Sequence, residues 1–432
     1  MRPSAFNLHL SEGKSRFVFN AFTGALTALN EREVSVLKRK RALSDLSTLS
    51  KKKLIEGGFV IDEAVDEVRT LRLKHELRKY DASVLALTIC PTLECNFACP
   101  YCFQSSMRRS GPIQKEVISQ ICRFVRFHAK SLSVLKVEWF GGEPLLEPEV
   151  ILQMMEQFAE VASRNKIEMV SSITTNGYFL TEHMAQRLKS AGVGSAQISV
   201  DGIEAVHNRM RPLKGGAPTY RTVIGNAIAV RSILDLSLRV NVSNANIGTL
   251  PEFLSECREL KLSDLVHIEM ITGQAGCQAG EQCGDVLRLE DFSRAELRSF
   301  RELQSVDEIK YRLRPRDTFC GANTLSMLAI DPEGYVYKCW HRLGRKAEAI
   351  GHISQDIPLC WNHVKWLSST PYEAGSPCLK CLVLPLCQGG CMHTYLEPSE
   401  NSRSCSAVKH NAKHLIRLLI ELTSAGFSTD NS

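Results

Sequence analysis

From residue 84 to about 305 the chain alternates short β-branched runs with longer stretches whose apolar residues recur three and four apart. The strand-like runs are 84–89, 134–140, 168–174, 196–201, 238–242 and 265–271. The helix-like stretches are 114–129, 148–164, 182–191, 220–234, 250–260 and 290–303, with Thr181, Thr219 and Thr249 standing where helix N-caps belong. Strand–helix units in series predict a parallel sheet with right-handed crossovers. Six such units are too few for a standard eight-stranded barrel. The expected α/β fold is therefore an open, partial (β/α)6 barrel.

The flanks read differently. Residues 1–80 suggest a small α+β unit, with strands at 17–20 and 58–61 and helices at 30–40 and 66–79. The last 115 or so residues are cysteine-rich, with short hairpins and many turns. Three domains are expected, at 1–80, 81–310 and 311–432. Hydrophobic residues at 44% and charged residues at 23% are ordinary for a globular protein. No apolar run is long enough to span a membrane and residues 1–14 hold no signal-peptide core, so a cytoplasmic location is expected. A net charge of +6 falls short of a nucleic-acid binder. Two basic runs, Lys38 to Arg41 and Lys51 to Lys53, read as a solvated helix face or as a site for an acidic peptide.

Sixteen cysteines in a long chain without a signal sequence point to metal or cluster ligation rather than disulfides. Cys95, Cys99 and Cys102 follow the first strand in a C-x3-C-x2-C run, with Tyr101 before the third. Three thiolates leave a cubane cluster one ligand short; zinc with a distant fourth ligand, or a structural role, fits the same spacing. Loops at the C-terminal ends of parallel strands are where ligands bind. At Cys95, Cys99 and Cys102 the chain resembles the radical S-adenosylmethionine (SAM) superfamily. That resemblance implies a [4Fe-4S] cluster on the three cysteines and SAM chelating the open iron. Reductive cleavage of SAM to a 5′-deoxyadenosyl radical, fed by an external electron donor, is implied with it.

Gly141-Gly142-Glu143-Pro144 follows the second strand and is similar to the superfamily's GGE motif, which binds the SAM amino group. Its plain alternative is a tight turn. Thr175 and Asn176 end the third strand, and Ser199 and Asp201 the fourth; each pair is either cofactor contact or turn chemistry. Arg239 and Asn241 share one face of the fifth strand, where polar side chains are costly unless they bind something. The resemblance implies that they touch SAM. The run His207-Asn208-Arg209-Met210-Arg211-Pro212 resembles the peptide-modifying branch and reads otherwise as a basic surface loop.

In the tail, Cys320, Cys339, Cys378, Cys381, Cys387, Cys391 and Cys405 form an ordered pattern, with a turn at Asp331-Pro332-Glu333-Gly334 between the first two. A zinc ribbon would take four of the seven. The whole pattern resembles a SPASM domain. That implies two auxiliary [4Fe-4S] clusters, one on Cys378, Cys381, Cys387 and Cys405, the other on Cys320, Cys339 and Cys391. Cys90, Cys122, Cys257 and Cys360 read as buried free thiols; Cys277 and Cys283, in a Gly-rich loop, are less defined.

Most SPASM-branch enzymes modify peptides. The expected function is crosslinking of a small precursor peptide, through a thioether or carbon–carbon bond, with residues 1–80 capturing the leader as an added strand. Sulfatase-type oxidation is the alternative, although Trp340 stands where that subgroup carries aspartate. A non-catalytic zinc or iron–sulfur scaffold is the reading from another class. No general base stands out.

Overall fold

The computed structural model describes residues 1–105, 111–271, 287–318, 320–397 and 405–423. Cys277 and Cys283 lie outside them. The N-terminal unit runs β1 (Arg2–Pro3), β2 (Asn7–Glu12), β3 (Ser15–Asn20), β4 (Leu26–Leu29), α1 (Glu31–Leu37), α2 (Thr48–Glu56), β5 (Val60–Ile61) and α3 (Glu67–Lys79). The central region follows as β6 (Val84–Ile89), α4 (Lys115–His128), β7 (Val134–Trp139), α5 (Pro148–Asn165), β8 (Glu168–Thr175), α6 (Glu182–Ser190), β9 (Ser195–Ser199), α7 (Glu204–Met210), α8 (Tyr220–Val230), β10 (Asp235–Val242), α9 (Leu250–Glu259) and β11 (Val266–Met270). Then come α10 (Leu289–Leu303), α11 (Val306–Arg312), β12 (Met327–Ile330), β13 (Tyr335–Tyr337), β14 (Gly351–His352), α12 (Trp361–Ser368), α13 (Leu384–Cys387), α14 (Met392–Leu396) and α15 (Val408–Thr423).

Strands β6 to β11 pair in parallel and in sequence order, as six strand–helix units require. Their outward residues form a continuous apolar layer under the helices; Leu135, Trp139, Ile173, Ile198, Leu238 and Val240 are at or near zero exposure. Each such side chain contributes about 1.5–3 kcal/mol by leaving water. Because strand side chains alternate, the opposite face holds Thr88, Glu138, Ser172, Thr174, Gln197, Ser199, Arg239, Asn241, His267 and Glu269. A polar face opposite an apolar, helix-covered one is the asymmetry of a sheet that presents a site on one side.

The tail does not stand apart from this sheet. Strand β12 pairs in parallel with β6, and β13 and β14 extend the sheet antiparallel, giving nine strands. Asp331 makes the β12–β13 turn: its carboxylate accepts the amides of Glu333 and Tyr335, and Gly334 takes φ +89°. The N-terminal sheet and the tail also share a core, in which Phe6, Leu8, Phe17 and Phe19 meet Leu415, Ile416 and Leu418 of α15.

One local expectation fails. Thr181 caps α6 through the Met184 amide, but Thr219 and Thr249 make no capping bond. The Thr219 hydroxyl instead donates to the Arg211 carbonyl at 2.7 Å, which pins the segment ahead of it.

Candidate SAM and cluster site

The loop bearing Cys95, Cys99 and Cys102 leaves the C-terminal end of β6 and is strapped from two sides. The first strap is the Gly141-Gly142-Glu143 turn after β7. Gly142 N–H donates to the Thr92 carbonyl at 3.1 Å, and Glu143 N–H to the Glu94 carbonyl at 2.8 Å. The approach is close enough that a Cβ on Gly142 would lie 2.1 Å from the Glu94 carbonyl oxygen. A Cβ on Gly141, at φ +132°, would lie 2.3 Å from the Cys90 sulfur. The glycines are there because the turn presses its backbone against the cysteine loop.

Glu143 is fully buried, and its carboxylate faces the protein. It accepts Leu145 N–H at 2.9 Å, the Thr175 hydroxyl at 2.7 Å and Asn176 N–H at 2.8 Å. Burial raises its pKa against these donors. The turn is thereby fastened to the end of β8. From there the Asn176 side-chain amide reaches Asn96 Oδ1 at 2.7 Å and the Cys95 sulfur at 3.8 Å.

The second strap is the segment after α7. Ala98 N–H donates to the Pro212 carbonyl and Lys214 N–H to the Asn96 carbonyl, at 2.8 and 2.9 Å. Arg211 is buried here, not displayed on a basic surface loop. Its Nη1 donates to the Tyr101 hydroxyl at 2.5 Å and lies 3.5 Å from Asp201, whose carboxylate accepts the Tyr101 O–H. Asp201 also accepts two donors from Asn241, its backbone N–H at 3.2 Å and Nδ2 at 3.1 Å. Burial opposes the Arg211 charge, but Tyr101, Cys99 and Asp201 outweigh it and raise its pKa. For Cys99, burial raises the thiol to about 12 while Arg211 pulls the other way. Arg239, beside Ser199 in register, donates to Asn241 Oδ1 at 3.0 Å. Ser199, Asp201, Arg239 and Asn241 thus converge on the mouth beside the cysteine loop.

The other cysteines sort into sets. Burial raises the pKa of Cys320 and Cys339, and Cys391 lies near enough to add to both; burial likewise raises Cys378 and Cys387, with Cys405 near both and Cys381 near Cys378. Among the described residues, no group of three or more His, Cys, Asp or Glu side chains is drawn together as ligands of a single metal ion. Beside Cys320, the Lys338 amine is 1% exposed; among the described residues it donates to the carbonyls of Thr324, Leu325 and Met327, and burial lowers its pKa to about 7. An amine whose charge burial disfavours would regain it beside an anionic group, so the thiol set and Lys338 suit one another. Rings join this set to the barrel mouth: Phe103, next to Cys102, lies 4.6 Å from His341, which stacks on His393 at 4.9 Å. Cys90, Cys122 and Cys257 are buried free thiols, and Cys360 is a partly buried one.

Sequence reasoning missed one group. On the inner face of β11, His267 bridges Glu269 at 2.8 Å and Glu308 at 3.2 Å, and Arg312 joins Glu269 to Glu296. The alternation of β11 alone carries the signal, since 267 and 269 fall on one face.

A three-thiol loop strapped to the mouth of six parallel strands suits a protein that holds a metal centre beside a small cofactor. Residues 89–268 match the radical SAM superfamily, and this region is a radical SAM domain. It is 22% identical, over 87% of its length and 86% of the relative's, to the radical SAM cyclopropyl synthase TigE of Paramaledivibacter caminithermalis. It is 29% identical to the PqqA peptide cyclase of Gluconobacter oxydans over 39% of this chain and 44% of that one. Its fold is similar to anSMEcpe solved with AdoMet and the Kp18Cys peptide (TM-score 0.64, 19% identity, 79% of this chain and 99% of that one). It is also similar to Streptococcus suis SuiB bound to the precursor peptide SuiA (TM-score 0.51, 15% identity, 94% and 99%). No helix among the described residues is long and apolar enough to cross a membrane.

Proposed function

We propose that this enzyme crosslinks a precursor peptide, with Cys95, Cys99 and Cys102 holding the SAM-binding [4Fe-4S] cluster. Gly141, Gly142, Glu143, Pro144, Thr175, Asn176, Ser199, Asp201, Arg239 and Asn241 are the proposed SAM-side residues. Cys378, Cys381, Cys387 and Cys405 hold one auxiliary [4Fe-4S] cluster in this reading, and Cys320, Cys339 and Cys391 the other. The observation that carries it is the sorting of ten cysteines into three neighbourhoods, the first joined to that of Cys320, Cys339 and Cys391 by the Phe103, His341 and His393 rings. When bound, the cluster and SAM supply hydrogen-atom abstraction. The chain's own residues hold the loop (Arg211, Tyr101, Asp201), orient the cofactor (Arg239, Asn241) and exclude water from beneath it (Phe97 and Trp139, both fully buried).

The related TigE and PqqA enzymes are named for ring formation, which supports a thioether or carbon–carbon crosslink over sulfatase-type oxidation. Trp340 after Cys339 supports it too. Residues 1–80 are the proposed peptide-capture domain, 81–310 the barrel and 311–432 the auxiliary-cluster domain, working in the cytoplasm with an external electron donor. SuiB, with its precursor, aligns over 94% of the chain, which favours a role for the N-terminal unit in that capture.

Anaerobic purification tests the metal content: about twelve irons and twelve sulfides per chain are expected for three cubanes. Zinc without sulfide overturns the proposal. Mass spectrometry of a co-expressed short precursor should show loss of two hydrogens per bond formed.

A further inference from the structure

Residues 1–80 contain sixteen Lys and Arg against ten Asp and Glu, a net +6. The whole chain is also +6, so the remaining residues balance at thirty-seven of each. The entire excess charge of the protein is thus confined to the N-terminal unit. Arg32, Lys38, Arg39, Lys40, Arg41, Arg72 and Lys74 are all exposed there. A domain-sized charge imbalance raises the local concentration of oppositely charged partners and speeds their encounter.

The same unit carries an apolar stripe. Leu73, Leu77 and Tyr80 at the end of α3 are 59%, 67% and 52% exposed. With Arg69 they sit at i, i+4, i+8 and i+11, one face of a helix. Arg72 and Lys74 flank the stripe, Lys74 lying over the Phe22 ring; Glu76 shares the stripe's face and pairs with Lys79, and Arg69 pairs with Asp66. The opposite face of α3 is occupied: Leu71 enters the shared core, and the buried His75 packs on Tyr372 in the tail. Beyond Tyr80 the surface continues onto Leu325, 37% exposed, whose N–H donates to the Lys79 carbonyl. Exposed leucines aligned at helical spacing with basic residues on both flanks mark a docking face, not scattered surface residues.

The three-stranded sheet of this unit has two edges: β2, which packs against α15, and β4, a short outer strand that is the alternative platform. Asn20 N–H donates to the Ala25 carbonyl, which by strand alternation turns the Ala28 carbonyl outward. That carbonyl already accepts Lys53 Nζ at 3.1 Å. A four-residue edge with a lysine capping one of its outward acceptors is a protected edge.

We infer that the exposed face of α3 docks an acidic, amphipathic segment of the precursor peptide, its apolar residues on Leu73, Leu77 and Tyr80 and its carboxylates toward Arg69, Arg72 and Lys74. The inference rests on the peptide-crosslinking reading and names the chemistry of that partner. Docking is along a helix face, not by addition of a strand.

Fluorescence anisotropy of the full-length protein tests it. The probe is a labelled 16-residue peptide with leucines at helical spacing and glutamates between them. Its controls are the same peptide with lysine for glutamate, and polyglutamate. The leucine–glutamate probe should bind at least tenfold more tightly than either control, and more weakly as salt rises. Leu77→Glu and Arg72→Glu should each weaken it about tenfold, while 5′-deoxyadenosine formation from SAM stays at the wild-type rate. Equal binding of the lysine peptide, tighter binding of an RNA duplex, or loss of binding on Ala28→Pro but not on Leu77→Glu overturns the inference. Absence of 5′-deoxyadenosine in the wild type would instead sink the enzyme reading, whatever the probe does.

Discussion

Arg211→Gln isolates the second strap on the cysteine loop. Arg211 is 8% exposed, and its Nη1 contacts the Tyr101 hydroxyl at 2.5 Å and Asp201 at 3.5 Å. Removing the guanidinium leaves the Asp201 carboxylate at 0% exposure with no cation beside it. Breaking a buried ion pair in this way costs about 3–5 kcal/mol. The Asn241 donors and the Tyr101 O–H still satisfy the carboxylate, which places the cost at the lower end, about 3 kcal/mol. The penalty falls on local opening, because Arg211 neighbours the amide bonds that clasp the loop. At 1.4 kcal/mol per tenfold, protection against hydrogen exchange should fall about 100-fold at Ala98 and Lys214. Their N–H groups bond Pro212 and Asn96, so peptides covering 96–102 and 211–214 report the change directly. Helix α5, on the far side of the sheet from the loop, is the internal control. Less than a threefold change at Ala98 would show that the network adds no stability and refute the strap.

Gly142→Ala places a Cβ 2.1 Å from the Glu94 carbonyl oxygen, so the cysteine loop must shift. Iron content should fall by about four per chain, one cubane, with the tail sites retained; full iron content would contradict the close approach. His267 is pushed up to about 9: burial lowers its pKa, but hydrogen bonds to Glu269 and Glu308 outweigh that. A raised pKa means stability fully present below about pH 6.5 and lost as pH rises through 9, on the order of 3 kcal/mol in all. Urea titrations at pH 6 and 9.5 should show that loss, and His267→Gln should flatten the profile; parallel profiles would refute the role of His267. Lys338→Met strands three buried carbonyl acceptors and should destabilise by roughly 1–3 kcal/mol in the same titrations.

The barrel was legible because six amphipathic repeats obey two simple periods, and strand ends agree with the reading to within three residues. The proposed cysteine sets come from spacing and resemblance. The strap at Arg211 was not: a run of His, Asn and Arg reads equally as a solvated loop until the fold brings Tyr101 and Asp201 to it, 110 and 10 residues away in sequence. Thr219 shows the same limit, since its hydroxyl bonds a carbonyl eight residues back in place of the cap its position suggests. The His267 cluster was hidden because its partners, Glu308, Arg312 and Glu296, lie on helices after the last barrel strand. The joining of β12 to β6 depends on pairing across more than 200 residues, which no local pattern reports.

The central claim is that Cys95, Cys99 and Cys102 hold the metal centre that cleaves SAM. Reconstituted protein, reduced with dithionite and given SAM without oxygen, should release 5′-deoxyadenosine; Cys99→Ala should release none while keeping the iron of the tail. Equal release from both proteins, or none from the wild type, would contradict the account.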